Sequence, residues 1–295
     1  MSVKFYDLIV LGSGEIAKAV IKQFNCKNTL VISRSVDNLP QDLRASVLEW
    51  DAEKSPFPAH IAGGLVINCV LPESKLAASR LIDYASLLTK NSGIYIHLST
   101  IALYSFPKEF PLGLKFRGDW YIRIKRYEMQ YLKKKLPKAR VVIPGVVIGG
   151  DTSWDKFLIR VASSKFLTIG TSLDSGAPII SLAELAKVIF GVFQNGTDGN
   201  YIYAPNIDDS LRTWREFFLA RNIKFSQTSY LFYPSKIKNL FIIILTSNLT
   251  PDFLWGWINF FAKKHNIDRT DVSSEDNLIV TGMTNFYIGA TYNLK

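Results

Sequence analysis

Short apolar runs alternate with stretches of helical spacing along the first 150 residues. Residues 7–12 (DLIVLG) read as a buried strand around the apolar run 8–11, and 14–24 place apolar side chains three and four apart. The same alternation continues through strand-like 28–33 (NTLVIS), a weaker 46–50, 64–70 (GLVINCV) and 93–98 (GIYIHL). Helical spacing returns over 76–88 and 120–136, and 141–148 (VVIPGVVI) reads as a sixth strand broken at Pro144-Gly145. A period near 3.6 marks the helices, and short unbroken apolar runs mark strands buried on both sides. Strands alternating with helices predict an α/β fold, a doubly wound parallel sheet covered on both faces.

After Gly150 the rhythm changes. Residues 179–192 (IISLAELAKVIFGV) predict a helix, with Ser181 as N-cap and Glu184 three residues on as a capping box. "NGTDGNYIYAPN" predicts turns around a short strand, and "DDSLRTWREFFLAR" another capped helix. Residues 151–295 therefore read as a second, smaller lobe, with about 177–205 expected to pack back on the first unit. From about residue 223 the pattern is less regular.

Composition narrows the picture. Apolar residues make up 48% of 295 positions, enough for a large core. The N-terminal stretch carries no secretory pattern, and Cys26 and Cys69 are single cysteines in apolar surroundings, so a reduced, cytoplasmic protein is expected. His60, His97 and His265 are scattered, and no metal is expected. The net charge is +10, and residues 115–140 hold ten Lys/Arg against Asp119 and Glu128, a local +8. A solvated helix face, a phosphate-bearing ligand or an anionic surface each accounts for that run; no nucleic-acid motif accompanies it.

The turn after the first strand is Gly12-Ser13-Gly14-Glu15-Ile16-Ala17. Gly12 suits a tight turn, Gly14 lets a pyrophosphate approach the backbone, and Ala17 keeps the helix near the sheet. The helix N-terminus favours the negative charge. Residues 1–150 thus read as a dinucleotide-binding domain of Rossmann type, the turn supplying Gly12, Ser13, Gly14, Glu15 and Ile16. The second strand ends Ser33-Arg34-Ser35, with Arg34 twenty residues after Gly14. A guanidinium flanked by hydroxyls suits a 2′-phosphate, so NADP(H) is preferred, with NAD(H) the alternative. Asp37 is the acidic candidate opposing that preference, and Asp51, after the third strand, joins the cofactor contacts.

Four further segments carry a family resemblance: "YIHLSTIALY" (95–104), "YIRIK" (121–125), "VVIPGVVIG" (141–149) and "IISLAELAKVI" (179–189). In this order and spacing the chain resembles the extended short-chain dehydrogenases/reductases over about residues 5–205, in particular the sugar-nucleotide epimerases, dehydratases and reductases. The resemblance implies catalytic Thr100, Tyr121 and Lys125, with Ser99 a weaker candidate than Thr100, and cofactor contacts from Pro144 and Val146. Tyr121 and Lys125 are four apart and share a helix face. The ammonium and the nicotinamide charge are expected to lower the tyrosine's pKa, letting Tyr121 exchange a proton with a sugar hydroxyl or carbonyl. A second Tyr-x-x-x-Lys, Tyr131–Lys135, lies too near the next strand to serve. The chain departs from the family pattern at Ala17, at Ile143 in place of an Arg, and at Met129, where an acid is frequent.

Dehydratases of that family carry Asp-Glu after the Thr, whereas Thr100 precedes Ile101-Ala102, which cannot move protons. Redox at one carbon of a nucleotide- or lipid-linked sugar remains, by an epimerase or a ketoreductase of glycan-precursor synthesis. A dinucleotide sensor and a membrane-surface binding protein are the non-catalytic alternatives. Residues 230–262 hold no spanning apolar stretch, yet Trp255, Trp257, Phe260 and Phe261 adjoin Lys263 and Lys264. A core or dimer-interface helix pair is one expectation there, peripheral membrane contact the other. A homodimer is expected.

Overall fold

The structure is a computed structural model, describing residues 2–35, 39, 45–89, 93–100, 103, 119–150, 179–204, 278–280 and 292–293. The chain opens with β1 (Lys4–Leu11), α1 (Glu15–Phe24), β2 (Thr29–Ser33), β3 (Ser46–Glu49), β4 (Ile61–Asn68) and α2 (Lys75–Leu88). It continues with β5 (Ile94–Leu98), α3 (Asp119–Lys135), β6 (Arg140–Pro144), β7 (Val146–Ile148), β8 (Ile179–Ser181), α4 (Leu182–Asn195) and β9 (Tyr201–Ala204). Two short strands, β10 (Leu278–Val280) and β11 (Tyr292–Asn293), follow.

The strands of the main sheet lie in the order β11-β10-β9-β6-β5-β4-β1-β2-β3, and every pair is parallel except β10 with β11. The chain winds from β1 outward to β2 and β3, then returns to β4 on the other side. The loops after β1 and β4 therefore diverge, which opens a crevice at the carboxyl edge between them.

The apolar runs explain the two covered faces. Ile9 and Leu11 of β1 turn toward α2 and α3, where they join Leu81, Tyr84, Leu88, Met129 and Leu132. Leu8 and Val10 turn the other way and join Ala17, Val20, Leu185 and Ile189 of α1 and α4. Successive strand side chains point to opposite faces, so an unbroken apolar run is what a doubly covered strand requires. α4 packs on α1, and β9 pairs with β6, so residues 179–204 lie against the first unit.

Two elements differ from expectation. Pro144 and Gly145 end β6, and β7 leaves the main sheet to pair in parallel with β8. Ile179, Ile180 and Ser181, expected as the first turn of a helix, are that strand. The β-branched, buried side chains of Ile179 and Ile180 favour an extended backbone, and the helix begins only at Leu182. The Ser181 hydroxyl accepts the Glu184 amide at 3.1 Å, as the capping signal implied. The helix expected at "DDSLRTWREFFLAR", Asp37, and residues 230–262 lie outside the described residues. Among the described residues no helix is long and apolar enough to cross a membrane.

Ser181→Ala removes the one side-chain cap at the junction of β8 and α4. It is expected to cost about 1 kcal/mol, read by urea denaturation as a lower midpoint with an unchanged slope.

Candidate active site

The crevice forms two adjoining clefts of about 410 and 440 Å³, a size suited to parts of a small-molecule ligand. Gly14, Cys69, Val70 and Leu71 line both. Gly12 sits at φ +105°, and a Cβ there would press on Val70 and Cys69 at 3.3–3.5 Å, so the turn needs glycine. A Cβ on Gly14, by contrast, would meet no atom within 4 Å. Gly14 is also the N-cap of α1 without a side-chain cap, so open space adjoins unsatisfied helix N–H groups. That cradle fits the phosphates of a dinucleotide.

The first cleft is lined by the end of β2, Trp50, Asp51, Glu53 and Glu73. Ser13 donates to the Ser35 carbonyl at 3.0 Å and lies 2.8 Å from the Ser33 hydroxyl, so the Ser33 hydrogen points to Ser13. This ties the glycine turn to β2 and turns Ser33 inward. Arg34 is exposed, and its guanidinium donates to Glu73 at 2.9 Å. That hydrogen bond, then the arginine's charge, holds the Glu73 carboxyl below the usual range. Arg34, expected to await a phosphate, is thus engaged, with the charges of Asp51 and Glu53 also acting on it.

The second cleft gathers Glu15, Ile16, Ser99, Thr100, Tyr121, Lys125, Pro144, Gly145 and Val147. Val146, expected among the contacts, is buried in β7, and Val147 takes its place in the wall. Glu15 pairs with Lys18 at 2.7 Å. The Thr100 hydroxyl bonds Tyr121, so the two residues named from separate segments meet directly. Ser99 donates its backbone N–H to Val142 at 2.8 Å, but its buried hydroxyl finds no partner among the described residues. Desolvation pushes the Cys69 thiol up to about 12, so it stays protonated in the cleft.

Behind Tyr121 lies a buried polar cluster that sequence reasoning missed. Lys125 is 3% exposed; its ammonium donates to Glu128 Oε2 at 2.6 Å and lies 3.5 Å from the Leu98 carbonyl. Glu128 is fully buried, and its Oε2 also lies 3.6 Å from His97 Nε2. On the far side of that ring, Nδ1 lies 3.1 Å from the Tyr95 hydroxyl and 3.4 Å from the Asn68 amide nitrogen. Asn68 and His97 are register partners on β4 and β5, so strand pairing sets this contact. The signal for Glu128 was its place three residues after Lys125, on one helix face. The acid stands one residue before the position where an acid is frequent, because Met129 turns into the core.

The expected pull of the Lys125 ammonium on Tyr121 is present, and burial opposes it. Desolvation raises Tyr121, Lys125 and Thr100 pull it down, and the Glu128 charge pushes it up again; the balance lies above the usual tyrosine value. The second Tyr-x-x-x-Lys faces elsewhere. Tyr131 donates to Asp83 on α2 at 2.9 Å, and Lys135 lies 3.4 Å from the same carboxylate. It straps α3 to α2, away from the clefts. Among the described residues no cluster of His, Cys, Asp and Glu could hold a metal.

Burial raises Glu128, but Lys125 and His97 more than offset it, leaving the carboxyl below its usual range. A carboxyl lowered on folding stabilises the fold above its unfolded pKa of about 4.3, and that stability is lost as pH falls through the folded value. The stability gap between wild type and Glu128→Gln is therefore expected to be full at pH 6 and to close below about pH 4, measured by denaturant unfolding at each pH.

No protein-family model and no curated protein sequence matches the chain. Solved structures do. DesIV, a dTDP-glucose 4,6-dehydratase of Streptomyces venezuelae solved with NAD and TYD bound, superposes with a TM-score of 0.55 at 12% identity, over 76% of this chain and 83% of its own. Gox2253 gives 0.56 at 15% identity, over 86% and 87%. MoeE5, solved with UDP-glucuronic acid and NAD, gives 0.52 at 11% identity, over 68% and 76%. Sequence identities this low carry a likeness of fold: the chain has the fold of the extended short-chain dehydrogenases/reductases that its four sequence segments resemble.

Proposed function

We propose that this chain is a nicotinamide-dinucleotide-dependent oxidoreductase that oxidises or reduces one hydroxyl carbon of a nucleotide-linked sugar. The observation that carries this reading is the meeting of Thr100, Tyr121 and Lys125 in the wall of the cleft that begins at the Gly12–Gly14 turn. Bound there, a nicotinamide dinucleotide would supply or accept the hydride. Gly14 and the N-terminus of α1 would hold its phosphates, and Pro144, Gly145 and Val147 would wall the reacting end. Thr100 would hydrogen-bond the substrate oxygen while Tyr121 exchanges a proton with it, and Lys125 would steady the resulting phenolate. The orphaned Ser99 hydroxyl offers that end one more polar contact.

Several features support the finer reading. DesIV and MoeE5 were solved with a dinucleotide together with a nucleotide or nucleotide sugar. Ile101 and Ala102 supply no acid or base after Thr100, which favours simple redox over elimination of water. For the cofactor, the charges around Arg34 favour NAD(H) over the NADP(H) expected from the sequence. Asp51, Glu53 and Glu73 line the cleft against Arg34, and Ser33 is turned inward. A 2′-phosphate would enter a field already negative. Carriage of the sugar on a lipid would rest on residues 230–262, whose aromatic and lysine pattern suits an interface.

Tyr121→Phe is expected to keep dinucleotide binding and to lose turnover of a nucleotide sugar by about 10²–10⁴-fold. Turnover within a few-fold of wild type would remove Tyr121 from its role. Fluorescence titration is expected to show NADH binding more tightly than NADPH, with Glu73→Gln narrowing the gap by improving NADPH alone. A tighter grip on NADPH in wild type would return the preference to Arg34.

A further inference from the structure

The fold divides the basic run of the sequence. Lys125 turns into the cleft wall, whereas the lysines that end the run, Lys133, Lys134, Lys135 and Lys138, are exposed at the opposite edge of the sheet. Strands β1 to β6 are parallel and start at one edge, and the helices that return the chain end there. Lys4 at the start of β1, Lys22 in the last turn of α1 and Lys27 before β2 are exposed at this same amino edge. From Lys27 to Lys138 the edge crosses β2, β1, β4, β5 and β6, four strand spacings or about 19 Å. Three large apolar side chains stand half exposed in it: Val3 at 54%, Phe5 at 51% and, at the end of α2, Leu87 at 49%. The edge is continuous around them. Asn28, next to Lys27, donates to the Phe5 carbonyl at 2.9 Å, and a Cβ on Gly64 of β4 would lie 3.4 Å from the Phe5 ring.

Helix polarity accounts for only part of this. Lys22 and Lys133–Lys135 sit where a helix C-terminus favours cations, but Lys4, Lys27 and Lys138 lie outside helices. Among the described residues, Lys22, Lys27, Lys134 and Lys138 form no ion pair. Of the described carboxylates near this edge, Asp83 and Asp198 are already paired, with Lys135 and Arg140, which leaves Asp7. The carboxylates of the clefts, Glu15, Asp51, Glu53 and Glu73, stand at the other edge. The molecule is thus polarised, with one edge basic and partly apolar and the other cut by acid-lined clefts.

We infer that the amino edge of the sheet docks this protein on an anionic lipid surface. Lysines meet a diffuse negative surface as point charges, and Val3, Phe5 and Leu87 gain by entering the headgroup boundary. A nucleic acid has no use for those apolar side chains. Its phosphates are matched better by arginine forks, and among the described residues this edge offers only Arg140, held by Asp198 and by the Val192 and Phe193 carbonyls. An anionic surface attracts this edge and repels the acid-lined clefts, so the same charges set the orientation. The eight residues of β1 span about 26 Å. Docked in this way, the clefts open into solution about that far from the headgroups, within reach of a soluble dinucleotide and a nucleotide-linked sugar. The docking surface does not use residues 230–262, and it stands whether or not the chain is an enzyme.

The test mixes the full chain, in about 0.1 M salt, with vesicles of phosphatidylcholine alone or with about one-third phosphatidylglycerol, and reads the bound fraction by sedimentation. Binding to the anionic vesicles alone is expected. Lys27→Gln, Lys134→Gln and Lys138→Gln combined are expected to weaken it by about 10²-fold, about fivefold per lysine. The urea midpoint of that variant should stay at the wild-type value, because all three side chains are exposed. Phe5→Ser is expected to weaken vesicle binding several-fold. A wild-type chain that stays off the anionic vesicles overturns the inference. Undiminished binding by the triple lysine variant overturns it too, and would move the contact elsewhere, to Trp255 and Trp257 for example. Equally tight binding of a DNA duplex at the same salt also overturns it, in favour of a nucleic-acid partner. None of these readouts involves a dinucleotide or a sugar, so the enzyme reading, tested by Tyr121→Phe, stands or fails apart from them.

Discussion

A parallel sheet has no face that tolerates water, and this constraint organises the rest of the molecule. Side chains on both faces of β1, β4, β5 and β6 are spent on packing, so polar chemistry collects where the strands end. The reversal of winding between β1 and β4 then opens a crevice at that edge. Gly12 and Gly14 follow β1, Cys69 and Val70 follow β4, and Ser99 and Thr100 follow β5. The site is a consequence of where the strands stop.

One part of the chemistry breaks that rule. His97, Asn68 and Glu128 are completely buried, and Lys125 nearly so. Removing such charges from water is costly, and their mutual attraction returns that cost only when the hydrogen-bond geometry is good. Here Lys125 and Glu128 neutralise one another, while His97 Nε2, 3.6 Å from the same carboxylate, makes no hydrogen bond among the described residues. Glu128 Oε1 likewise finds no partner among the described residues. This costly, partly satisfied cluster lies directly behind the cleft, with Lys125 in its wall.

The two Tyr-x-x-x-Lys pairs on α3 show how far spacing carries an argument. Both have the same period, but only Tyr121 and Lys125 line the cleft. The second pair turned out to bind Asp83 of α2. Spacing places residues on a helix face, but it does not say what that face meets. Met129 and Glu128 make the same point: the helix rotates Met129 into the core and Glu128 toward Lys125, so the acid stands one residue from where a motif looks for it. For Ile179–Ser181 the local signals of strand and helix overlapped, and pairing with β7 decided for the strand.

By itself the sequence determined the sheet and the glycine turn, because these rest on local periodicity and on backbone freedom at Gly12, and its family resemblance pointed to Thr100, Tyr121 and Lys125, which the fold brings to one cleft wall. Only the tertiary structure decided what charge those groups feel. The pairing of Arg34 with Glu73 joins residues 39 apart, and the meeting of His97 with Glu128 joins β5 to α3. Electrostatic effects depend on distance through space and on exclusion of water, and neither quantity is written in the order of residues along the chain.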